Sequence, residues 1–78
     1  MGPRRDDGAT RLAMNLIING ETRTVSAETL SALVEQLGMR ADRVAVELNR
    51  DIVPRDRWVQ TPLKEGDRLE IVHFVGGG

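Results

Sequence analysis

Apolar and polar positions alternate at the start of the structured part of the chain, which predicts two β-strands. The runs are MNLII over residues 14–18 and ETRTV over residues 21–25, and Asn19-Gly20 lies between them. Asn-Gly between two β-prone runs is the strongest short-range signal for a hairpin. We therefore expect residues 14–25 to form an antiparallel β-hairpin.

The next segment has the period of an α-helix. Four apolar residues recur at positions i, i+3, i+4 and i+7, namely Leu30, Leu33, Val34 and Leu37. This spacing places them on one face of an amphipathic helix. Thr29 is the predicted N-cap and Gly38 the predicted C′ residue, so both ends of the helix have typical capping residues.

Alternation returns after residue 43. Val44, Val46 and Leu48 alternate with more polar positions, which predicts a half-buried strand. A short run, Ile52-Val53, is then ended by Pro54, because proline has no N–H to donate to a sheet.

Residues 55–62 show no clear period and are predicted to be a covering loop with a short turn. Trp58 is the one large apolar residue of this loop. We interpret it as closing the edge of the core, the alternative being a stacking residue for a base or ligand. A turn over residues 64–67 leads to a final strand, in which Leu69 and Ile71 face one way and Val72 the other.

The order of elements predicts an α+β fold, with a mixed sheet of four to five strands packed on one helix. Strands before and after a helix in one sheet are commonly parallel, so the last strand is expected beside the first, in the middle of the sheet. Sequence alone does not determine that strand order.

The length and composition allow one small domain. We expect residues 1–13 to be a flexible N-terminal extension, residues 14–75 the folded domain and residues 76–78 a flexible glycine tail. The 11 basic and 12 acidic residues form no long block, so nucleic acid is not an expected partner. No segment is apolar for long enough to span a bilayer or to act as a signal peptide, and we expect a soluble, cytoplasmic protein.

Catalytic chemistry has few candidates in this chain. Cysteine is absent, and the single histidine, His73, is interpreted as a surface residue at a strand end. We expect no metal site, no bound cofactor and no enzymatic activity of the chain itself.

The best candidate for a reactive group is the carboxylate of Gly78, at the end of an apolar run and three glycines. Gly76 and Gly77 lack Cβ atoms, so they could thread through a narrow slot in a partner's active site. The alternative is a disordered end, which is the more typical interpretation of a glycine run taken alone. Val72, Phe74 and Val75 are candidates for docking that partner, and the alternative for Val72 and Phe74 is that they close the base of the core.

Several motifs together resemble the ThiS family of sulfur carriers of thiamine biosynthesis, and the resemblance covers essentially residues 14–78. The most specific parts are Val53-Pro54-Arg55 followed by Trp58, and Gly66-Asp67 leading into the terminal IVHFVGGG; Leu48-Asn49, Ile52, Leu63 and Leu69-Glu70 complete the match.

This resemblance implies a β-grasp, ubiquitin-like fold and a carrier cycle. In that cycle an E1-like enzyme, ThiF, would adenylate the carboxylate of Gly78 with ATP and magnesium. Sulfur from cysteine, passed through a desulfurase persulfide, would then give a C-terminal thiocarboxylate, which the thiazole synthase ThiG would consume. The alternatives left open are a carrier for molybdopterin or another thiocarboxylate pathway, a ubiquitin-like protein modifier, and a binding module whose terminal glycines have no function.

Overall fold

The computed structural model describes residues 13–74, in which five strands build one mixed sheet. The strands are β1 (Met14–Ile18), β2 (Glu21–Val25), β3 (Val44–Leu48), β4 (Asp51–Ile52) and β5 (Arg68–His73). They lie side by side in the order β2-β1-β5-β3-β4. The pair β1–β5 is parallel and the other pairs are antiparallel, so the final strand is in the middle, as predicted.

Both hairpins use two-residue turns with positive φ angles. Asn19 and Gly20 join β1 to β2 at φ values of 51° and 85°, and Asn49 and Arg50 join β3 to β4 at 51° and 77°. Positive φ at both central residues is characteristic of a type I′ turn, whose twist matches that of the flanking strands. After the second turn, β4 covers Asp51–Ile52, whereas the predicted run was Ile52-Val53. Val53 still contacts the neighbouring strand, because its N–H donates to the carbonyl of Val46 at 3.0 Å.

The single α-helix of the described region, α1 (Leu30–Gln36), has the predicted ends. The hydroxyl of Thr29 accepts a hydrogen bond from the N–H of Ala32 at 3.2 Å, which is the N-cap contact. Gly38 follows the helix with a φ of +76°, and its N–H donates to the carbonyl of Glu35 at 3.0 Å. This left-handed residue ends the helix where the sequence predicted.

The core lies between α1 and one face of the sheet. Its buried members come from the inward rows of four strands, from the apolar face of α1 and from the segments that close the sides: Leu16, Ile18, Val25, Ala27, Leu30, Leu33, Val34, Val44, Val46, Trp58, Leu63, Leu69 and Ile71. Burial of these apolar side chains is the main favourable term in folding.

The covering loop with a short turn that was predicted over residues 55–62 is mostly helical instead. Residues Arg55–Gln60 form a 3-10 helix, which begins after Pro54 with a hydrogen bond from the N–H of Arg57 to the carbonyl of Pro54 at 2.8 Å. A second, shorter 3-10 helix, Ala41–Arg43, was also not predicted. Such short helices have three residues per turn and too few turns to leave a visible apolar period.

The predicted role of Trp58 is confirmed. Its side chain is buried against the core, and the indole N–H donates to the carbonyl of Val53 at 2.8 Å. The indole therefore closes the side of the core and also satisfies a backbone acceptor at the end of β4.

Candidate functional site

The strand that leads to the C-terminus, β5, is held on both sides. It pairs with β1 in parallel register and with β3 in antiparallel register, from Leu48↔Leu69 to Val44↔His73. The backbone contacts continue to the last described residue, because the N–H of Phe74 donates to the carbonyl of Arg43 at 2.8 Å. The folded domain thus supports the chain up to Phe74.

The asparagine of the first turn extends the sheet beside β5. The backbone N–H of Asn19 donates to the carbonyl of Leu69 at 2.8 Å. Its side-chain oxygen accepts from the N–H of Ile71 at 2.7 Å, and its side-chain NH₂ donates to the carbonyl of Ile71 at 3.2 Å. The side chain of Asn19 thus continues the pairing of β5 beyond the last residue of β1, where a further β1 residue would otherwise have bonded to Ile71.

The asparagine of the second turn holds the start of β5. The N–H of Asn49 donates to the carbonyl of Arg68 at 2.8 Å, and its side-chain oxygen accepts from the N–H of Arg68 at 3.0 Å. Its NH₂ group donates to Asp67, a buried carboxylate that also accepts from the N–H of Lys64 at 2.8 Å. The two turns therefore bind β5 from opposite sides.

Sequence reasoning missed these three polar residues. It used Asn19 as a turn signal, named Asn49 only in a family motif, and named Asp67 only in a turn and a family motif. The available signal was that each asparagine stands at a sharp chain reversal, where its amide can bond to backbone. Which strand the amide would reach depends on strand order, and sequence alone does not determine that order.

The two faces of β5 differ sharply. Leu69 and Ile71 are 1% and 5% exposed and point into the core, whereas Val72 and Phe74 are 58% and 54% exposed on the opposite face. The alternative that Val72 and Phe74 close the base of the core is therefore wrong. Their docking role stays a prediction. His73, between them, is exposed at the strand end, as predicted.

The residues around Val72 and Phe74 define what we call the docking face, on the side of the sheet away from α1. Ala45 lies directly opposite Val72, and Glu47 lies directly opposite Glu70 on β5 and Ile52 on β4. Partners in register share a face of the sheet, and so do residues two apart in one strand, so the docking face consists of Ala45, Glu47, Ile52, Arg68, Glu70, Val72 and Phe74. Apolar and acidic side chains are thus adjacent on it.

The other predicted site residues lie outside the described region. These are Val75, the tail residues Gly76 and Gly77, and Gly78 with its carboxylate. Their roles stay predictions, as does the division of the chain at residues 13 and 75.

Within residues 13–74 no group of three or more His, Cys, Asp or Glu side chains is arranged to hold a metal ion.

A groove of about 350 Å³ lies between α1 and the two 3-10 helices, lined by Ser31, Val34, Glu35, Met39, Ala41 and Trp58. Glu35 is the one ionisable side chain in that lining, which therefore contains no acid–base pair. None of the helices between residues 13 and 74 has the length and hydrophobicity of a transmembrane segment.

Comparison with known proteins gives a consistent result. The model of the ThiS family matches residues 16–78. The chain is 32% identical to the sulfur carrier protein ThiS of Escherichia coli over 66 residues, which are 83% of this chain and the whole of that protein. A crystal structure of a thiamine biosynthesis protein (ThiS) from Geobacter metallireducens is similar with a TM-score of 0.70 and 39% identity, covering 83% of this chain and all of the other.

Some relatives are much longer. A protein named thiazole synthase from Paramagnetospirillum magneticum is 50% identical over 66 residues. That match covers 83% of this chain and 20% of the relative, so the chain spans about a fifth of its length. A second thiazole synthase, from Magnetococcus marinus, matches over the same share at 41% identity.

Proposed function

This chain belongs to the ThiS family, and on that basis we propose that it carries sulfur as a thiocarboxylate on Gly78. As a member it has the β-grasp fold and is a sulfur carrier protein of thiamine biosynthesis rather than an enzyme. The proposal concerns the finer chemistry: which atom carries the sulfur, how it is loaded and which protein receives it.

One observation carries the proposal. The family match extends to residue 78 and thus includes the three terminal glycines as well as the folded domain. The strand β5 ends at His73, so five residues separate the end of the sheet from the terminal carboxylate. Those five residues span at most about 18 Å when extended, enough to bring the carboxylate into a partner's active site.

The chemistry requires activation of Gly78 before sulfur is attached. A carboxylate is a poor electrophile, because its charge is delocalised and oxide is a very poor leaving group. An E1-like, ThiF-like enzyme would use ATP and magnesium to form the acyl adenylate, releasing pyrophosphate. A persulfide of a cysteine desulfurase would then attack the acyl carbon and expel AMP, which gives an acyl disulfide. A second thiol would reduce the S–S bond of this intermediate and release the thiocarboxylate, with a disulfide as the other product.

The acceptor is the second proposed partner. A ThiG-like thiazole synthase would take sulfur from the thiocarboxylate in exchange for one oxygen atom, from the acceptor or from water, and this would restore the carboxylate of Gly78. The two longer relatives support this pairing, since each contains a segment similar to this chain within a protein named thiazole synthase. Attachment of a carrier to its acceptor raises their effective concentration, which is advantageous when the two proteins must meet in every cycle.

The test is intact-mass analysis of the protein after co-expression with its E1-like enzyme and a cysteine desulfurase. We expect a mass increase equal to the exchange of one oxygen for one sulfur, and no increase in a variant that lacks Gly78. Circular dichroism of the truncated variant serves as the control for folding.

Two results would contradict the proposal. A sulfur adduct that persists without Gly78 would place the sulfur elsewhere. Covalent attachment of the chain to lysines of other proteins, with no thiocarboxylate, would instead indicate a ubiquitin-like modifier.

A further inference from the structure

We propose that Glu47 and Glu70 form an acidic receptor on the docking face, which binds an arginine or lysine side chain of the adenylating enzyme. This inference rests on the proposed function and deepens it, because it assigns a recognition role to two residues outside the tail. It commits to one occupant of the docking face: an enzyme surface with a cation flanked by apolar side chains.

The two carboxylates are neighbours in the sheet. Glu47 on β3 and Glu70 on β5 lie directly opposite each other, and both are exposed. Like charges at directly opposite positions destabilise a sheet. Among residues 13–74 the one ion pair is Arg40–Asp42, so no described basic side chain lies within ion-pair distance of the two glutamates. Arg68, on the same face and two residues before Glu70, does not form an ion pair with either glutamate.

Exposed apolar side chains flank the acidic pair on two sides. Ile52 lies opposite Glu47 on β4 and is 72% exposed, and Val72 follows two residues after Glu70 at 58%. An arginine is suited to such a place, since its stem packs on apolar surface while the guanidinium binds carboxylates. Apolar contact would exclude water from the charges, which strengthens their attraction.

Charge complementarity favours the adenylating enzyme as the occupant. Its reaction brings the negative carboxylate of Gly78 to the polyphosphate of ATP, and two anions approach each other only where positive charge surrounds them. From Glu70 to Gly78 the chain extends at most about 28 Å, so a basic surface around the ATP site lies within reach of the acidic pair. Electrostatic attraction of this kind acts mainly on association rate and specificity.

The experiment compares two double variants that carry the same net charge. Glu47→Gln with Glu70→Gln removes the receptor, and Glu28→Gln with Glu35→Gln neutralises two exposed carboxylates outside the docking face. The readout is the KM and kcat of the adenylating enzyme for each carrier, measured by ATP–pyrophosphate exchange at low and high salt. The urea midpoint of each variant is measured alongside.

We expect the receptor variant to raise KM about tenfold at low salt with kcat unchanged. High salt should reduce this difference, since it screens the ion pairs of the wild type. The control variant should stay within about twofold of wild type. Because the repulsion between the glutamates is removed, the receptor variant should unfold at the same or a higher urea concentration, which separates lost recognition from lost folding.

An equal KM for both double variants would overturn the inference, whether neither value changed or both rose together. So would a defect of the receptor variant in sulfur transfer to the thiazole synthase with normal adenylation, which would assign the receptor to the other partner. Absence of any exchange with the wild-type carrier would instead refute the proposed function itself.

Discussion

The side-chain amide of Asn19 pairs with both backbone groups of Ile71, which lies 52 residues away in the sequence. The amide oxygen accepts from the N–H of Ile71 at 2.7 Å and the NH₂ group donates to its carbonyl at 3.2 Å. One residue of the first turn thus stabilises the strand from which the C-terminal tail continues. The local conformation of the hairpin and the pairing of the central strand therefore depend on the same side chain.

Replacement of Asn19 should separate these two roles. Asn19→Gly keeps the freedom to adopt the φ of 51° but loses both side-chain hydrogen bonds, and we expect it to lower the free energy of unfolding by about 2 kcal/mol. Asn19→Ala should cost about 1 kcal/mol more, because alanine is strained at that φ. Urea unfolding measures both changes. A glycine variant as stable as the wild type would show that water replaces the two bonds.

Trp58 provides both a stability test and a spectroscopic probe. It is the single tryptophan of the chain and is 3% exposed, so its fluorescence should be blue-shifted and should move to the red on unfolding. Trp58→Ala should destabilise the domain by about 3–5 kcal/mol through the cavity it leaves.

Trp58→Phe should cost about 1–3 kcal/mol, since the carbonyl of Val53 loses its donor. Thermal unfolding followed by circular dichroism compares the two variants on one scale. A phenylalanine variant that melts with the wild type would show that the indole hydrogen bond contributes no net stability.

Asp67 should matter for stability although it is polar. Its carboxylate is buried and accepts from the N–H of Lys64 and from the side chain of Asn49. Asp67→Ala leaves both donors unpaired, and we expect a loss of about 2–3 kcal/mol in urea unfolding. The exposed Asp56 is the matched control, where alanine should change stability by at most about 0.5 kcal/mol. Equal effects at the two positions would contradict this prediction.

Phe74 should contribute to binding but not to folding. Its side chain is 54% exposed on the docking face, so Phe74→Ala should leave the free energy of unfolding within about 0.5 kcal/mol of wild type. We expect affinity for the adenylating enzyme, measured by calorimetry, to fall by about 1–3 kcal/mol. Val59→Ala is the control, because Val59 is 69% exposed on the 3-10 helix, away from the docking face. Loss of the folded circular-dichroism signal with unchanged affinity would reject the docking role of Phe74.

Local patterns predicted most of the elements. The Asn-Gly turn, the apolar period of α1 with its caps at Thr29 and Gly38, and the alternation in β3 and β5 each appear within a few neighbouring residues. The 3-10 helix at Arg55–Gln60 was missed because a segment of six residues with three per turn leaves no period that distinguishes it from a loop.

Most kinds of element, the inward row of Leu69 and Ile71 and the family motifs could be read from the sequence, and it also predicts Gly78 as the reactive end. These depend on local spacing and on residue identity, which the chain carries without folding. The folded structure was needed to show which residues lie next to each other across the sheet: Asn19 beside the backbone of Ile71, Asn49 beside Asp67, and Glu47 opposite Glu70. Such contacts join residues that are distant along the chain, and they form only when burial of a shared core brings β1, β3 and β5 together in one register.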